Sequence, residues 1–182
     1  SEGRCRGQSR SAAPGRNFLR LPTRSGIHGA MKMEIRRFDL KLRHAWRIAR
    51  SDEGGSGTYP VTFVLLTSDD GLRGWGESAP SWRYRENVET VGQFLHAVDP
   101  ARLTFDDVPG SMCYLDAVAP DNHAAKTAVN IALLDGAARR KGQPIYDLLG
   151  LGFTEGKHLT SFSIGIDSPE MVRQEVAEVA EF

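Results

Sequence analysis

The 182-residue sequence lacks several features that would each mark a whole class of protein. No apolar run approaches the ~20 residues that a membrane-spanning helix needs. Cysteine occurs only at Cys5 and Cys113, which is too few for a disulfide framework and favours a reducing compartment, the cytoplasm. Lys plus Arg and Asp plus Glu both number 23. With no excess charge of either sign, we expect neither a nucleic acid nor a membrane as partner.

The spacings that mark common ligand sites are also missing. The histidines His44, His96, His123 and His158 show no metal-ligand spacing. The glycines within 71–76 do not open a helix, which excludes a dinucleotide fingerprint. Hydrophobic residues make up 40% and charged residues 25% of the chain, which is typical of a folded protein with a sizeable core.

The first 30 residues differ in composition from the rest. They hold six Arg, one Glu and no Lys, without a sustained apolar period, so they cannot bury enough surface to offset their ordering entropy. Three interpretations stay open: a transit peptide, a basic arm for nucleic acid, and a non-native leader before a natural start at Met31. We favour the leader because a strand pattern begins directly after Met31.

Beyond Met31, periodicity predicts strands first and helices afterwards. Asp70-Gly71 is a strong signal for a hairpin turn. Residues 44–59 have no period and contain three glycines, which predicts a mobile loop. The predicted strands are 33–42, 61–67, 72–77 and 159–166. The predicted helices are 85–97, 122–141, 145–149 and one that begins at Ser168-Pro169.

The longest predicted helix has apolar residues at helical spacing, namely Ala125, Ala128, Val129, Ala132, Leu133 and Ala137. It also carries signals at both ends: Asp121 or Asn122 is suited to cap its start, and Gly142 is suited to end it. Arg139, Arg140 and Lys141 suit the negative end of its dipole. We therefore expect this basic run to act locally, on the helix that carries it.

The element order predicts an α+β fold. The first three strands form a three-stranded antiparallel meander, and the helices that follow form a bundle. The last strand and helix read as the opening unit of a βα repeat. We therefore divide the chain into a disordered leader over 1–30, a domain over 31–150 and the start of a second domain over 151–182.

Five stretches carry a resemblance to a known family. They are LRHAWRIARS at 42–51, DDGLRGWGESAP at 69–80, RYRE at 83–86, AAKTAVNIALLDGAARRKGQPIYDLLG at 124–150 and SFSIGIDSPEM at 161–171. Together they resemble the N-terminal capping domain and first barrel strand of the enolase superfamily, in its mandelate racemase/muconate lactonizing enzyme branch. Within that branch they are most similar to dipeptide epimerases of the L-Ala-D/L-Glu epimerase kind.

The resemblance implies a cap over a modified (β/α) barrel, and proton transfer at the α-carbon of a dipeptide through an enediolate. The family uses two lysines as acid and base and three acidic ligands for Mg²⁺. Those groups correspond to barrel segments beyond Phe182. We therefore expect no catalytic residue and no metal ligand in this chain, which would be an inactive N-terminal fragment. The family is often oligomeric, which leaves a homo-oligomer open.

Other outcomes stay open beside the dipeptide epimerase. One is an isolated cap that catalyses nothing. The others keep the family and change the reaction, to an N-acyl or N-succinyl amino acid racemase or to a muconate cycloisomerase.

The resemblance also implies which residues face the substrate. They are Trp46, Arg47, Arg50, Trp82, Arg83, Tyr84 and Ser163. The first three belong to the loop that closes over the barrel mouth in the family, the next three to a second specificity loop, and the last to the first barrel strand. Each also has a plain structural interpretation, as a packing aromatic, a solvated arginine or a hydroxyl bonded to backbone.

The charge of the substrate is left open by the same loop. Its arginines suit a dipeptide with an acidic second residue, because the guanidinium fork matches a carboxylate. Asp52 and Glu53 in the same loop suit a cationic one instead.

Deletion of residues 1–30 should change the free energy of unfolding of the remaining chain by less than ~1 kcal/mol, because changes away from packed features have effects of that size. Urea denaturation of the 182-residue chain and of the 31–182 chain measures the difference. A loss of several kcal/mol would show that the leader is built into the fold.

Overall fold

The computed structural model describes residues 31–47 and 56–180. The leader and Arg50 therefore lie outside the described residues, as does most of the predicted loop. The strands and helices are β1 (Lys32–Trp46), β2 (Ser56–Thr67), β3 (Arg73–Ser78), α1 (Val88–Ala97), α2 (Val108–Val118), α3 (His123–Arg140), α4 (Ile145–Leu148) and α5 (Pro169–Val179). Single 3₁₀ turns cover Trp82–Tyr84 and Pro100–Arg102. This order confirms the α+β fold class.

The strands form the predicted antiparallel meander, in the order β1-β2-β3. Ile35 pairs with Val64 across the first hairpin, and Leu65 pairs with Trp75 across the second. The predicted turn lies between β2 and β3, where the Gly71 amide donates to the Ser68 carbonyl at 2.8 Å. Gly71 has a φ of 80°, which is easy for glycine and costly for a residue with a Cβ atom.

The hydrophobic core lies between the sheet and the helices. Val64 and Leu66 of β2 are fully buried, as are Leu95 of α1 and Leu115 of α2. The helix α3 contributes the buried residues Ala125, Ala128, Val129, Ala132, Leu133 and Ala137. This is the face predicted from helical spacing, and its many alanines let the helix lie close to the sheet.

The closest contact in this core joins β3 to α3 through residues without bulk. A Cβ atom placed on Gly74 would lie 2.1 Å from the Ala132 carbonyl oxygen, and one placed on Gly76 would lie 1.9 Å from that of Ala128. Both distances are far below van der Waals contact, and both obstacles are helix backbone. Only glycine fits at these two positions, so we call Gly74, Gly76, Ala128 and Ala132 the β3–α3 seam.

The start of α3 is capped differently from the sequence prediction. Asn122 is the residue before the helix, but its backbone is left-handed (φ 54°) and its side chain makes no capping bond. Its amide group donates to the Pro120 carbonyl instead, at 2.7 Å. The carboxylate of Glu86 accepts from the Ala124 amide at 3.1 and 3.3 Å. A distant anion thus satisfies a free N–H at the positive end of the helix.

At the other end of α3, Gly142 adopts the predicted left-handed conformation, with a φ of 64°. Arg140 reaches well beyond its own helix. Its guanidinium contacts Asp106 at 2.6 Å and Asp70 at 3.2 Å and lies over the Phe105 ring. The prediction of a local dipole match is therefore incomplete, because this arginine joins three separate segments.

The strand predicted over 159–166 is wrong for the described chain. No strand of the described residues pairs with it, and a strand without a hydrogen-bonded neighbour is not stable. The segment runs irregularly, and the amide of Ile166 donates to the Arg47 carbonyl at 2.9 Å. The helix predicted after Ser168-Pro169 is present as α5, and Ser168 caps it.

Other boundaries also differ from the prediction. β1 extends to Trp46 and β2 begins at Ser56, so the connection between them is shorter than 44–59. The helix predicted from 85 begins at Val88, after a capping box between Asn87 and Thr90. The helix α2 was not predicted at all. The division of the chain at 150 stays a prediction.

Gly76→Ala should lower the free energy of unfolding by roughly 1–3 kcal/mol or more, because the new methyl group forces β3 and α3 apart. Gly92→Ala is the matched control: it lies within α1 with nothing within 4 Å of the added Cβ, and should stabilise by roughly 0.5–1 kcal/mol. Urea denaturation followed by circular dichroism measures both. Equal effects of the two substitutions would contradict the conclusion that only glycine fits at Gly76.

The Asp70 carboxylate should stabilise the β2–β3 turn in a pH-dependent way. Its pKa is lowered from the ordinary 3.8 by the Ser68 hydroxyl first, then by the Leu72 amide and Arg140. A carboxylate whose pKa is lowered on folding stabilises the folded state at pH values above its ordinary pKa. That stability is lost as the pH falls through the folded-state pKa. Asp70→Asn should therefore destabilise the chain at pH 6, and the difference should shrink below pH 3.8.

Thermal denaturation of both chains across that pH range measures this difference. Asp69→Asn, at the exposed neighbouring residue, is the matched control. A deficit of the Asp70 variant that stays constant down to pH 2.5 would contradict the role of the carboxylate.

Candidate functional site

The end of the first hairpin carries two of the predicted site residues. Trp46 is the last residue of β1, and Arg47 follows it with an exposed side chain. The Arg47 carbonyl accepts from the Ile166 amide at 2.9 Å. This bond brings the hairpin end to the segment that holds Ser163, more than a hundred residues away in sequence.

Ser163 lies in a groove between that hairpin and the chain before α5. The groove has a volume of about 410 Å³. Its walls are Leu42, Arg43, His44, Tyr59, Phe162, Ser163, Gly165 and Glu175. A neighbouring cavity of about 640 Å³ continues past Phe162 towards His158 and Glu178. Ser163 thus lies on a concave, partly apolar surface, while Arg47 follows the strand that forms part of its wall and meets the Ser163 segment through its backbone carbonyl.

The groove holds charges of both signs. His44 lies between two carboxylates, with Nε2 at 3.1 Å from Glu178 and Nδ1 at 3.5 Å from Glu175. Arg43 also contacts Glu178, at 3.1 Å. The Gln174 amide, then the His44 ring, hydrogen-bond to the Glu178 carboxylate and lower its pKa, as the Arg43 charge does. The charges on this side of the groove thus pair with one another.

The second group of predicted residues lies elsewhere. Trp82, Arg83 and Tyr84 form a single 3₁₀ turn whose start is capped by the Ser81 hydroxyl. The Trp82 and Tyr84 side chains are exposed. Arg83 and Tyr84 line a different cleft of about 460 Å³, at the start of α3. The described residues therefore do not bring this turn into the groove of Ser163, although the Tyr59 hydroxyl of that groove donates to the Pro80 carbonyl at 3.2 Å.

Sequence reasoning missed several polar residues of the groove and of the neighbouring cavity. His44 showed no ligand spacing, and Glu175 and Glu178 were not singled out. A helix with two glutamates three positions apart on one face offered a weak signal. Their partner is distant in sequence, and nothing local points to it.

The described residues form neither a metal centre nor a membrane-spanning helix. Within them, no group of three or more His, Cys, Asp or Glu side chains could hold a metal ion. Nor does any described helix combine the length and the apolar character needed to cross a membrane.

Known proteins are similar to this chain in both sequence and fold. L-Ala-D/L-amino acid epimerase of Pedosphaera parvula is 49% identical over 144 residues, which cover 79% of this chain and 42% of that protein. L-Ala-D/L-Glu epimerase of Bacteroides thetaiotaomicron is 36% identical over 161 residues, which cover 85% of this chain and 39% of that protein. The chain thus spans about two fifths of the length of these relatives.

A solved structure gives the same picture. The dipeptide epimerase of Enterococcus faecalis, complexed with Mg and L-Leu-L-Tyr, superposes with a TM-score of 0.67 at 25% identity, covering 84% of this chain and 43% of that one. Residues 32–150 match the model for the N-terminal domain of mandelate racemase and muconate lactonizing enzyme. The resemblance seen in the sequence is confirmed: the chain belongs to the mandelate racemase/muconate lactonizing enzyme branch of the enolase superfamily.

Proposed function

We propose that this chain is the substrate-binding part of a dipeptide epimerase, an isomerase that inverts the α-carbon of one residue of a dipeptide. One observation carries the proposal. The Arg47 carbonyl and the Ile166 amide, 2.9 Å apart, bring the hairpin end to the segment of Ser163. These are two regions that the resemblance assigns to the substrate, and they meet at one groove. The epimerases among the relatives support the same reaction class.

The chemistry explains why such an enzyme needs a binding part at all. An α-proton beside a carboxylate is very weakly acidic, so the enediolate must be stabilised electrostatically as it forms. A base must also lie within roughly 2.6–3.2 Å of the proton, or one water away. Residues that hold the dipeptide in one pose therefore contribute to the rate without touching the proton.

Within that scheme the predicted site residues have distinct tasks. The Arg47 guanidinium is suited to a carboxylate of the dipeptide, since its planar fork donates two parallel hydrogen bonds. The Ser163 hydroxyl both donates and accepts, so it suits a peptide N–H or C=O group. The resemblance assigns to Trp46, the last residue of β1, the task of covering the bound ligand.

We place the metal and the acid and base groups outside these residues. The epimerase of Enterococcus faecalis is complexed with Mg, but the described part of this chain offers no group that could hold a metal ion. The described residues therefore do not fit Mg²⁺. No step of the reaction is therefore assigned to a metal held by this chain.

The chain alone should not exchange the α-proton of any dipeptide with solvent deuterium, even with Mg²⁺ supplied, because the resemblance assigns the acid and base to two lysines of the barrel and not to residues of the groove. A chimera that joins this chain to the remaining segment of the Pedosphaera parvula epimerase should exchange it. Mass spectrometry of a dipeptide panel with acidic, basic and apolar second residues measures both.

In that chimera, Arg47→Ala should raise KM for dipeptides with an acidic second residue roughly tenfold or more, because an ionic hydrogen bond is lost. Lys41→Ala, at an exposed residue of the preceding strand β1, is the control and should leave KM unchanged. Exchange by the chain alone would place the base within it. Exchange by neither protein would move the assignment to another reaction of the family, such as that of an N-acyl amino acid racemase or a cycloisomerase.

A further inference from the structure

The pairing of β1 with β2 breaks just before the hairpin end. Lys41 faces Thr58, whereas Trp46 faces Ser56, so four residues of β1 stand opposite Gly57 alone. An irregularity of this kind re-aims side chains and bends the strand that carries it. Here the inserted residues include Arg43 and His44, and both point to α5.

His44 uses both ring nitrogens in this contact. Nε2 lies 3.1 Å from Glu178 and Nδ1 lies 3.5 Å from Glu175. The side chains are 24% exposed for His44, 23% for Glu178 and only 7% for Glu175. A carboxylate as buried as that of Glu175 needs a partner, since an isolated charge in a protein interior is costly. The His44 imidazole is such a partner in its protonated form, in which both ring nitrogens are donors.

A second contact fixes the hairpin end, three residues after His44. The Arg47 carbonyl accepts from the Ile166 amide at 2.9 Å. The two contacts lie on either side of Trp46. The His44 side chain makes the first, and the Arg47 backbone makes the second. Together they fix Trp46 and Arg47 relative to α5 and to the segment of Ser163.

We propose that His44 is a positioning residue that fixes the hairpin end, which carries Arg47, beside the groove by bridging Glu175 and Glu178. This rests on the proposed function, in which Arg47 and Ser163 face the substrate. Arg43 is exposed to 76% at its side chain, and exposed ion pairs contribute little. The Gln174 amide donates to Glu178 within the same helix, so that bond does not join the hairpin to α5. The link between hairpin and helix is therefore assigned to His44.

Hydrogen exchange of the 182-residue chain tests the proposal without any turnover. His44→Gln removes one of the two nitrogens and should speed exchange at the Ile166 amide and at the amides of α5 roughly three- to tenfold, the range for hydrogen bonds to a charged group that is partly exposed. Glu178→Gln should have a similar effect. Val129 of α3 reports the global stability and should not change.

Two further variants separate bridging from general stabilisation. In the His44→Gln background, Glu178→Gln should add little, because the pair is already broken. His44→Arg keeps donors on more than one nitrogen and should restore most of the protection. His96→Gln, on the exposed face of α1, is the matched control and should leave Ile166 and α5 unchanged.

Unchanged exchange at Ile166 in His44→Gln would overturn the proposal. An equal increase at Val129 would overturn it too, because His44 would then stabilise the whole fold rather than the hairpin end. Additive effects of His44→Gln and Glu178→Gln, or no rescue by His44→Arg, would exclude a bridge. An inactive chimera would count against the proposed function alone, because the exchange experiment requires no dipeptide.

Discussion

A strand and a helix can approach until their backbones touch only where no side chain intervenes. The β3–α3 seam meets that condition, since Gly74 and Gly76 face the carbonyl groups of Ala132 and Ala128. Close packing is sensitive to a single added methyl group, so this contact fixes the distance and angle of α3 against the sheet. Other contacts of the helix add to it, among them the Asp135 carboxylate, which accepts from the Trp75 amide at 3.0 Å.

The polar contacts at the ends of α3 depend on the seam. Glu86 reaches the Ala124 amide at one end, and Arg140 reaches Asp70 and Asp106 at the other. Ion pairs of partly exposed groups contribute ~0–1 kcal/mol each. They are too weak to place a helix of 18 residues, but once the helix is placed they fix the loops around it. Packing therefore sets the fold, and the ion pairs refine it.

Sequence reasoning succeeded where the physical cause is local. The Asp70-Gly71 turn, the apolar face of α3 and the glycine that ends it depend on residues close together in the chain. Sequence reasoning failed where the cause is distant: Glu86 caps a helix 38 positions away, and His44 meets Glu178 134 positions away. A strand over 159–166 needs a neighbouring strand that the described chain lacks. The helix α2 was missed although Asp107 and Pro109 give a recognisable start, because its apolar residues follow no clear period.

The predicted site residues also divide into those placed by distant contacts and those placed by local ones. The segments of Arg47 and Ser163 meet because the irregular pairing after Lys41 and the Ile166 amide bring them together. Neither of these causes can be read from residue types. Trp82, Arg83 and Tyr84 lie on a turn shortly after β3, and Ser81 caps its start, so local contacts and the nearby seam set their place. A change of ligand specificity that preserves the fold is thus expected at the hairpin end, where weak polar ties hold the chain, rather than at the turn beside the seam.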